Sequence, residues 1–102
     1  MDKNIQSIIK NALLDIDYKE CLLFGSQARG DANKDSDYDI LIIIHDTISP
    51  KDKFKLINAI RNKIAPFMLP VDIIIKSVEE VERQKNLRGS LVRNALSEAV
   101  PL

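Results

Sequence analysis

The chain predicts one compact α/β domain in which helices pack against a small sheet. Three observations carry this expectation. Short apolar-rich runs, at "CLLF", "ILIII" and "VDIII", have the length of buried strands, and the last two their β-branched content. The segments between them show either a helical apolar period or a sharp capping signal. A length of 102 residues, with 45% apolar and 29% charged side chains, suits a single modest core.

Each element follows from local chemistry. Ile5, Ile8, Ile9, Ala12 and Leu13 recur at i, i+3, i+4, i+7 and i+8, one stripe of an amphipathic helix. Residues 19–24 read as a short buried strand ending at Gly25. Ser26 is expected to cap a short helix that runs through Arg29 and stops at Gly30. The polar stretch 31–36 is a loop, and 37–44 is the next strand. Ser49-Pro50-Lys51-Asp52 starts a helix with a capping serine, a first-turn proline and an acid, and Phe54, Ile57, Ile60 and Ile64 are expected to face inward. Pro66 ends that helix. Pro70 opens a strand over 71–75, and Ser77-Val78-Glu79-Glu80 is a capping box. Ser90 caps a last helix through Glu98, leaving 100–102 as an edge segment. No internal repeat, low-complexity tract or linker divides residues 1–102, so a single domain is expected.

Composition excludes several classes. Lysines plus arginines equal aspartates plus glutamates at 15 each, so no global basic field points to direct nucleic-acid binding. The one cysteine, Cys21, cannot form a disulfide within the chain and sits in an apolar run, where it reads as a small buried hydrophobe. No stretch approaches the ~20 apolar residues of a membrane helix, and the first ten residues lack a signal-peptide layout. A cytoplasmic protein with no membrane partner is expected.

The chemistry lies in "FGSQARGDANKDSDYDILIII", residues 24–44. On a strand, residues i and i+2 share a face about 6.5–7 Å apart, so Asp37 and Asp39 project side by side, followed on that face by Leu41 and Ile43. Tyr38, Ile40, Ile42 and Ile44 take the other face. Two such carboxylates repel each other and are costly to desolvate alone. A divalent cation resolves the conflict, and hard oxygen ligands select Mg²⁺ or Mn²⁺. Asp72 stands in the same context at the mouth of "VDIIIK". If its strand lies beside 37–44, three carboxylates converge at one edge, the usual count for a two-metal site with ~3.5–4 Å between ions. Gly25 lets backbone approach a ligand, and a helix starting at Ser26 aims free N–H groups at it, which suits a polyphosphate. Arg29 and Lys34 are cations close by. Taken singly, an acid at a strand start or a Gly-Ser before a helix is ordinary turn chemistry. Their joint occurrence is not.

Gly25-Ser26, ten intervening residues, Asp37-x-Asp39 and a later strand aspartate resemble the signature of the DNA polymerase β-like nucleotidyltransferases. The run "FGSQARGDANKDSDYDILI" resembles the minimal nucleotidyltransferases (MNT proteins) of bacteria and archaea. The tail "GSLVRNALSEAVPL" resembles the segment that ends those domains, although Ala99 stands where glycine is frequent. The likeness spans roughly residues 5–102. It implies an α+β fold with a mixed β-sheet flanked by helices, Mg²⁺ (or Mn²⁺), and ATP as substrate. Carried over by position, Asp37, Asp39 and Asp72 are the catalytic and metal-holding residues, with Asp72 helping to deprotonate the acceptor. Gly25 and Ser26 bind the β and γ phosphates, and Arg29 is a phosphate partner or supports one.

Related enzymes carry extra domains for the acceptor, and 102 residues leave no room for one, so the acceptor is expected to arrive on a separate macromolecule. The resemblance implies an antitoxin that transfers AMP from ATP to a tyrosine of a HEPN-domain toxin. Two other readings stand beside it: a non-catalytic module that masks a HEPN protein or tethers a nucleotide, and an enzyme acting on a small-molecule hydroxyl. The other candidates point to structure. His45 is the sole histidine and lies at the far strand end, Tyr38 suits core or rim packing, Lys76 faces solvent, and 79–88 is a charged surface.

Overall fold

The computed structural model describes residues 2–102. The chain runs α1 (Lys3–Ala12), β1 (Tyr18–Phe24), α2 (Gly25–Arg29), β2 (Tyr38–Ile44), α3 (Pro50–Ile64), a 3₁₀ turn (Ala65–Phe67), β3 (Val71–Ser77), α4 (Val78–Gln84), α5 (Leu91–Glu98) and β4 (Val100–Pro101). This is the predicted order, with β4 as the short edge segment.

The four strands form one sheet in the order β3-β2-β1-β4. β2 and β3 pair in parallel, whereas β1 is antiparallel to both β2 and β4, so the sheet is mixed. Both faces are covered, which is why the strands read as continuous apolar runs. On one face Cys21, Leu23, Ile40, Ile42, Ile44, Ile73 and Ile75 pack with Ile9, Ala12 and Leu13 of the first helical segment and with Ile60 and Ile64 of α3. On the other, Leu22, Phe24, Leu41 and Ile43 meet Ala95 of α5, with Val78, Val81 and Leu96 at the margin. Burial pushes the Cys21 thiol up to about 12, so it is an inert core side chain.

The caps hold the helices where the motifs predict. Ser49 accepts the Asp52 N–H at 3.1 Å. Ser77 and Glu80 form the reciprocal capping box. Ser90 accepts the Arg93 N–H at 3.0 Å. Asp2 caps α1 through the N–H groups of Asn4 and Ile5. Such caps contribute on the order of 1 kcal/mol each.

Two expectations are corrected. Phe54 does not face inward, being 65% exposed. The buried stripe of α3 passes instead through Lys53, Ile57, Ile60 and Ile64. Lys53 takes the inward place one turn before Ile57, because its ammonium reaches the buried carboxylate of Glu80 at 2.7 Å. Nor does Ser26 cap α2. The helix begins one residue earlier, at Gly25, with Phe24 in the cap position and no local side-chain cap. Its stop at Gly30, in the left-handed region with φ +84°, is as expected. Ala99 adopts ordinary extended backbone (φ −69°, ψ 143°), so glycine is not required there.

Candidate active site

Strand register brings the candidate residues to one edge of the sheet. Asp39 pairs with Phe24 of β1 on one side and with Asp72 of β3 on the other. Because β1 runs antiparallel to β2, its last residue lies beside the first residues of β2, and the Gly25-Ser26 turn emerges next to Asp39. Because β3 runs parallel to β2, its mouth lies there too. Asp37 stands immediately before β2. The Tyr38 N–H donates to the Pro70 carbonyl at 2.9 Å, which locks the entrances of the two parallel strands together. Tyr38 packs toward the α1/α3 core, leaving the acids on the opposite face. The loop before Asp37 is tied to α2 where Gln27 Nε2 donates to the Ser36 carbonyl at 3.3 Å.

Gly25 meets two constraints at once. Its φ of +74° lies in the left-handed region, and a Cβ there would drive into the Asp39 carboxylate. The glycine is what allows the turn to close over that acid.

The electrostatics of the edge are those of an acidic cluster that neighbouring arginines compensate only in part. Burial, then the charges of Asp72, Asp37 and Glu98, push the Asp39 carboxyl above its ordinary range, and Arg29 opposes them only in part. Asp37 and Asp72 are exposed. Asp72 has a neighbouring cation in Arg61 of α3, Nη2 to Oδ1 at 3.8 Å. Among the described residues no three acids, cysteines or histidines are gathered closely enough to enclose an ion. The three aspartates thus share an edge without closing around a common point. The donors are all carboxylate oxygens, a set that suits a hard divalent cation. Among the other cations named in the sequence, Lys34 lies exposed in the loop.

One residue of this region had no local sequence signal. Glu98, the last residue of α5, accepts the Gly25 N–H on Oε1 at 2.8 Å and Arg29 Nη1 on Oε2 at 2.8 Å. Arg29 also donates through Nε to Asp31 Oδ2 at 3.2 Å. The guanidinium is therefore engaged by two acids, and the Gly25 amide by one of them. The Arg29 pairing, with the Gly25 N–H adding to it, holds the Glu98 carboxyl below its usual range against partial burial. Only the resemblance of the "GSLVRNALSEAVPL" tail hinted at this segment, since Glu98 is 73 residues from its backbone partner.

An acidic sheet edge beside a glycine-serine turn, on a mixed sheet of this order, is the architecture of a nucleotidyl-transferring enzyme. The family model for polymerase β nucleotidyltransferases matches residues 3–96. A protein of Methanocaldococcus jannaschii named as a "putative protein adenylyltransferase" is 38% identical over 77 residues, which cover 74% of this chain and 68% of that relative. A solved structure described as a "putative minimal nucleotidyltransferase" superposes with a TM-score of 0.63 at 25% identity, covering 100% of this chain and 97% of that one. A crystal structure of a toxin-antitoxin with AMP-PNP has a TM-score of 0.64 at 18% identity, covering 94% of this chain and 70% of that one, a likeness of fold alone. The chain belongs to the polymerase β nucleotidyltransferase family, in its minimal nucleotidyltransferase branch. It is a nucleotidyltransferase with the mixed-sheet fold of that family.

Proposed function

We propose that this nucleotidyltransferase moves AMP from ATP onto a protein hydroxyl, a tyrosine of a partner HEPN-domain toxin, and so acts as the antitoxin. Residues 1–102 form the single catalytic domain. The observation that carries the reading is the pairing of Asp39 with Asp72 beside the Gly25-Ser26 turn, with Asp37 at the same edge. The relative named for protein adenylyl transfer supports the reaction class, and the toxin-antitoxin neighbour with AMP-PNP supports the nucleotide and the kind of partner.

Asp37, Asp39 and Asp72 are the residues that would hold Mg²⁺ or Mn²⁺, which when bound neutralises the triphosphate and the charge that develops at phosphorus. The rest falls to this chain's own groups. Ser26 presents its hydroxyl and N–H to the β and γ phosphates. Gly25 contributes the absence of a side chain, which lets them approach Asp39. Asp72, exposed on the edge strand, faces the incoming acceptor and takes its proton. The acceptor oxygen forms its bond to the α-phosphorus as the bond to the α,β-bridging oxygen breaks, and pyrophosphate leaves with that electron pair. Catalysis rests on positioning and charge neutralisation.

A macromolecular acceptor is favoured by the surface next to Asp72. Phe67 and Met68 are 58% and 90% exposed in the turn that leads into β3. A shallow groove of about 270 Å³ beside them is lined by Arg61, Ile64, Leu69 and Val71. Exposed apolar side chains in the turn that enters β3, four and five residues before Asp72, suit docking of a protein segment better than capture of a small alcohol.

The test is labelled ATP with the co-purified pair, followed by mass spectrometry of both chains. AMP on a partner tyrosine that disappears with Asp39→Asn supports the reading. A partner that stays unmodified yet is inhibited by tight binding overturns it in favour of a masking module.

A further inference from the structure

We propose that Glu98 is a positioning residue for the Gly25-Ser26 turn, and that Arg29 acts through Glu98 rather than on the nucleotide. The inference rests on the nucleotidyl-transfer reading above and adds a residue to it.

The argument starts from the shortness of α2. Five residues hold little more than one turn of backbone hydrogen bonding, seen where the Gly30 N–H donates to the Ser26 carbonyl at 3.0 Å, and the first N–H groups of any helix have no partner within it. Ser26 therefore needs an external frame, and the Glu98 carboxylate supplies one. One oxygen accepts the Gly25 N–H at the start of the helix and the other accepts Arg29 Nη1 at its end, both at 2.8 Å. A single side chain thus grips both termini of the element that carries Ser26. Glu98 is itself anchored, because Val92 and Ala95 seat α5 in the core. Its side chain is 24% exposed, so it is shielded from solvent without being sealed away. Two of the three guanidinium nitrogens of Arg29 are already engaged by carboxylates, Nε by Asp31 and Nη1 by Glu98.

A double-mutant cycle on ATP affinity, by calorimetry with Mg²⁺ present, separates this role from a direct phosphate contact. Glu98→Ala is expected to weaken ATP binding about tenfold, Arg29→Ala somewhat less, and the double variant no more than Glu98→Ala alone. Glu98→Gln retains an acceptor oxygen for the Gly25 N–H and is expected to restore most of the affinity. If the double variant loses the product of the two single effects, Arg29 grips the nucleotide independently and the proposal fails. If Glu98→Ala lowers only the melting temperature and leaves ATP affinity intact, the tie is merely structural and the proposal fails too. Should Glu98→Ala not fold, Arg29→Ala alone decides it: a loss of about tenfold or less is the predicted result, and a larger loss, as expected when a charged phosphate contact is removed, overturns the proposal. Wild-type protein that does not bind ATP overturns the nucleotidyl-transfer reading and this inference with it. Normal wild-type binding with unaffected variants overturns this inference alone.

Discussion

Asp72 lies directly across from Asp39 in the parallel pairing of β3 with β2. Thirty-two residues, including the whole of α3, intervene between them, yet each acid is the second residue of its strand and both point to the face that carries Leu41, Ile43 and Ile74. With Asp37 two residues before Asp39, this register concentrates negative charge at one sheet edge. The consequences can be measured.

Asp39→Asn is expected to raise the melting temperature of metal-free protein at neutral pH while abolishing transfer. The folded Asp39 carboxyl titrates above its unfolded value, because of burial and the neighbouring acids. In that window the folded chain holds a proton that the unfolded chain releases, so stability falls as pH rises through it and stays lower above it. The gain from the substitution should therefore shrink as the pH is lowered into the ordinary aspartate range. Thermal melts in EDTA at pH 7 and pH 4 check this, and a destabilised variant at pH 7 would give Asp39 a structural role instead.

Gly25→Ala and Ser26→Ala should differ in severity. The alanine at 25 meets both a left-handed φ and the Asp39 carboxylate, so transfer should disappear and stability fall by about 1 kcal/mol or more. Removing the Ser26 hydroxyl costs one phosphate contact and leaves the backbone amide, about 1 kcal/mol, or roughly a fivefold loss of ATP affinity. Side-by-side calorimetry and melting curves check the contrast.

Lys53→Ala is expected to cost about 3 kcal/mol, because it strands a buried carboxylate. Burial works against ionisation of Glu80, but Lys53 and the Ser77 groups override it and hold its pKa at about 2. This pair stabilises the fold fully above the ordinary glutamate range, and the contribution is lost as pH falls from about 4.5 toward 2. The sign is opposite to that of Asp39. Urea melts of wild type and Lys53→Ala at pH 7 and pH 3 should converge at the lower pH.

Much of the architecture was legible because its signals are local. The i, i+2 spacing of Asp37 and Asp39, the capping serines at 49, 77 and 90, and the unbroken runs at 40–44 and 73–75 depend only on near neighbours. The meeting of Asp72 with that pair depended on strand order, which a resemblance could imply and spacing could not. What escaped was tertiary. Phe54 looked inward because apolar period was followed, whereas Lys53 won the buried place through an acid 27 residues away. Ser26 looked like a cap because capping residues usually act locally, whereas α2 is capped by Glu98 from the far end of the chain.

The most direct test of the central claim is calorimetry of ATP binding with Mg²⁺ and again with EDTA, on wild type and on Asp39→Asn. Three acids at one edge should repel a triphosphate unless a cation intervenes. Binding by the wild type with Mg²⁺, none with EDTA, and none by Asp39→Asn in either condition is the predicted pattern. Equal affinity with and without the metal would contradict the account.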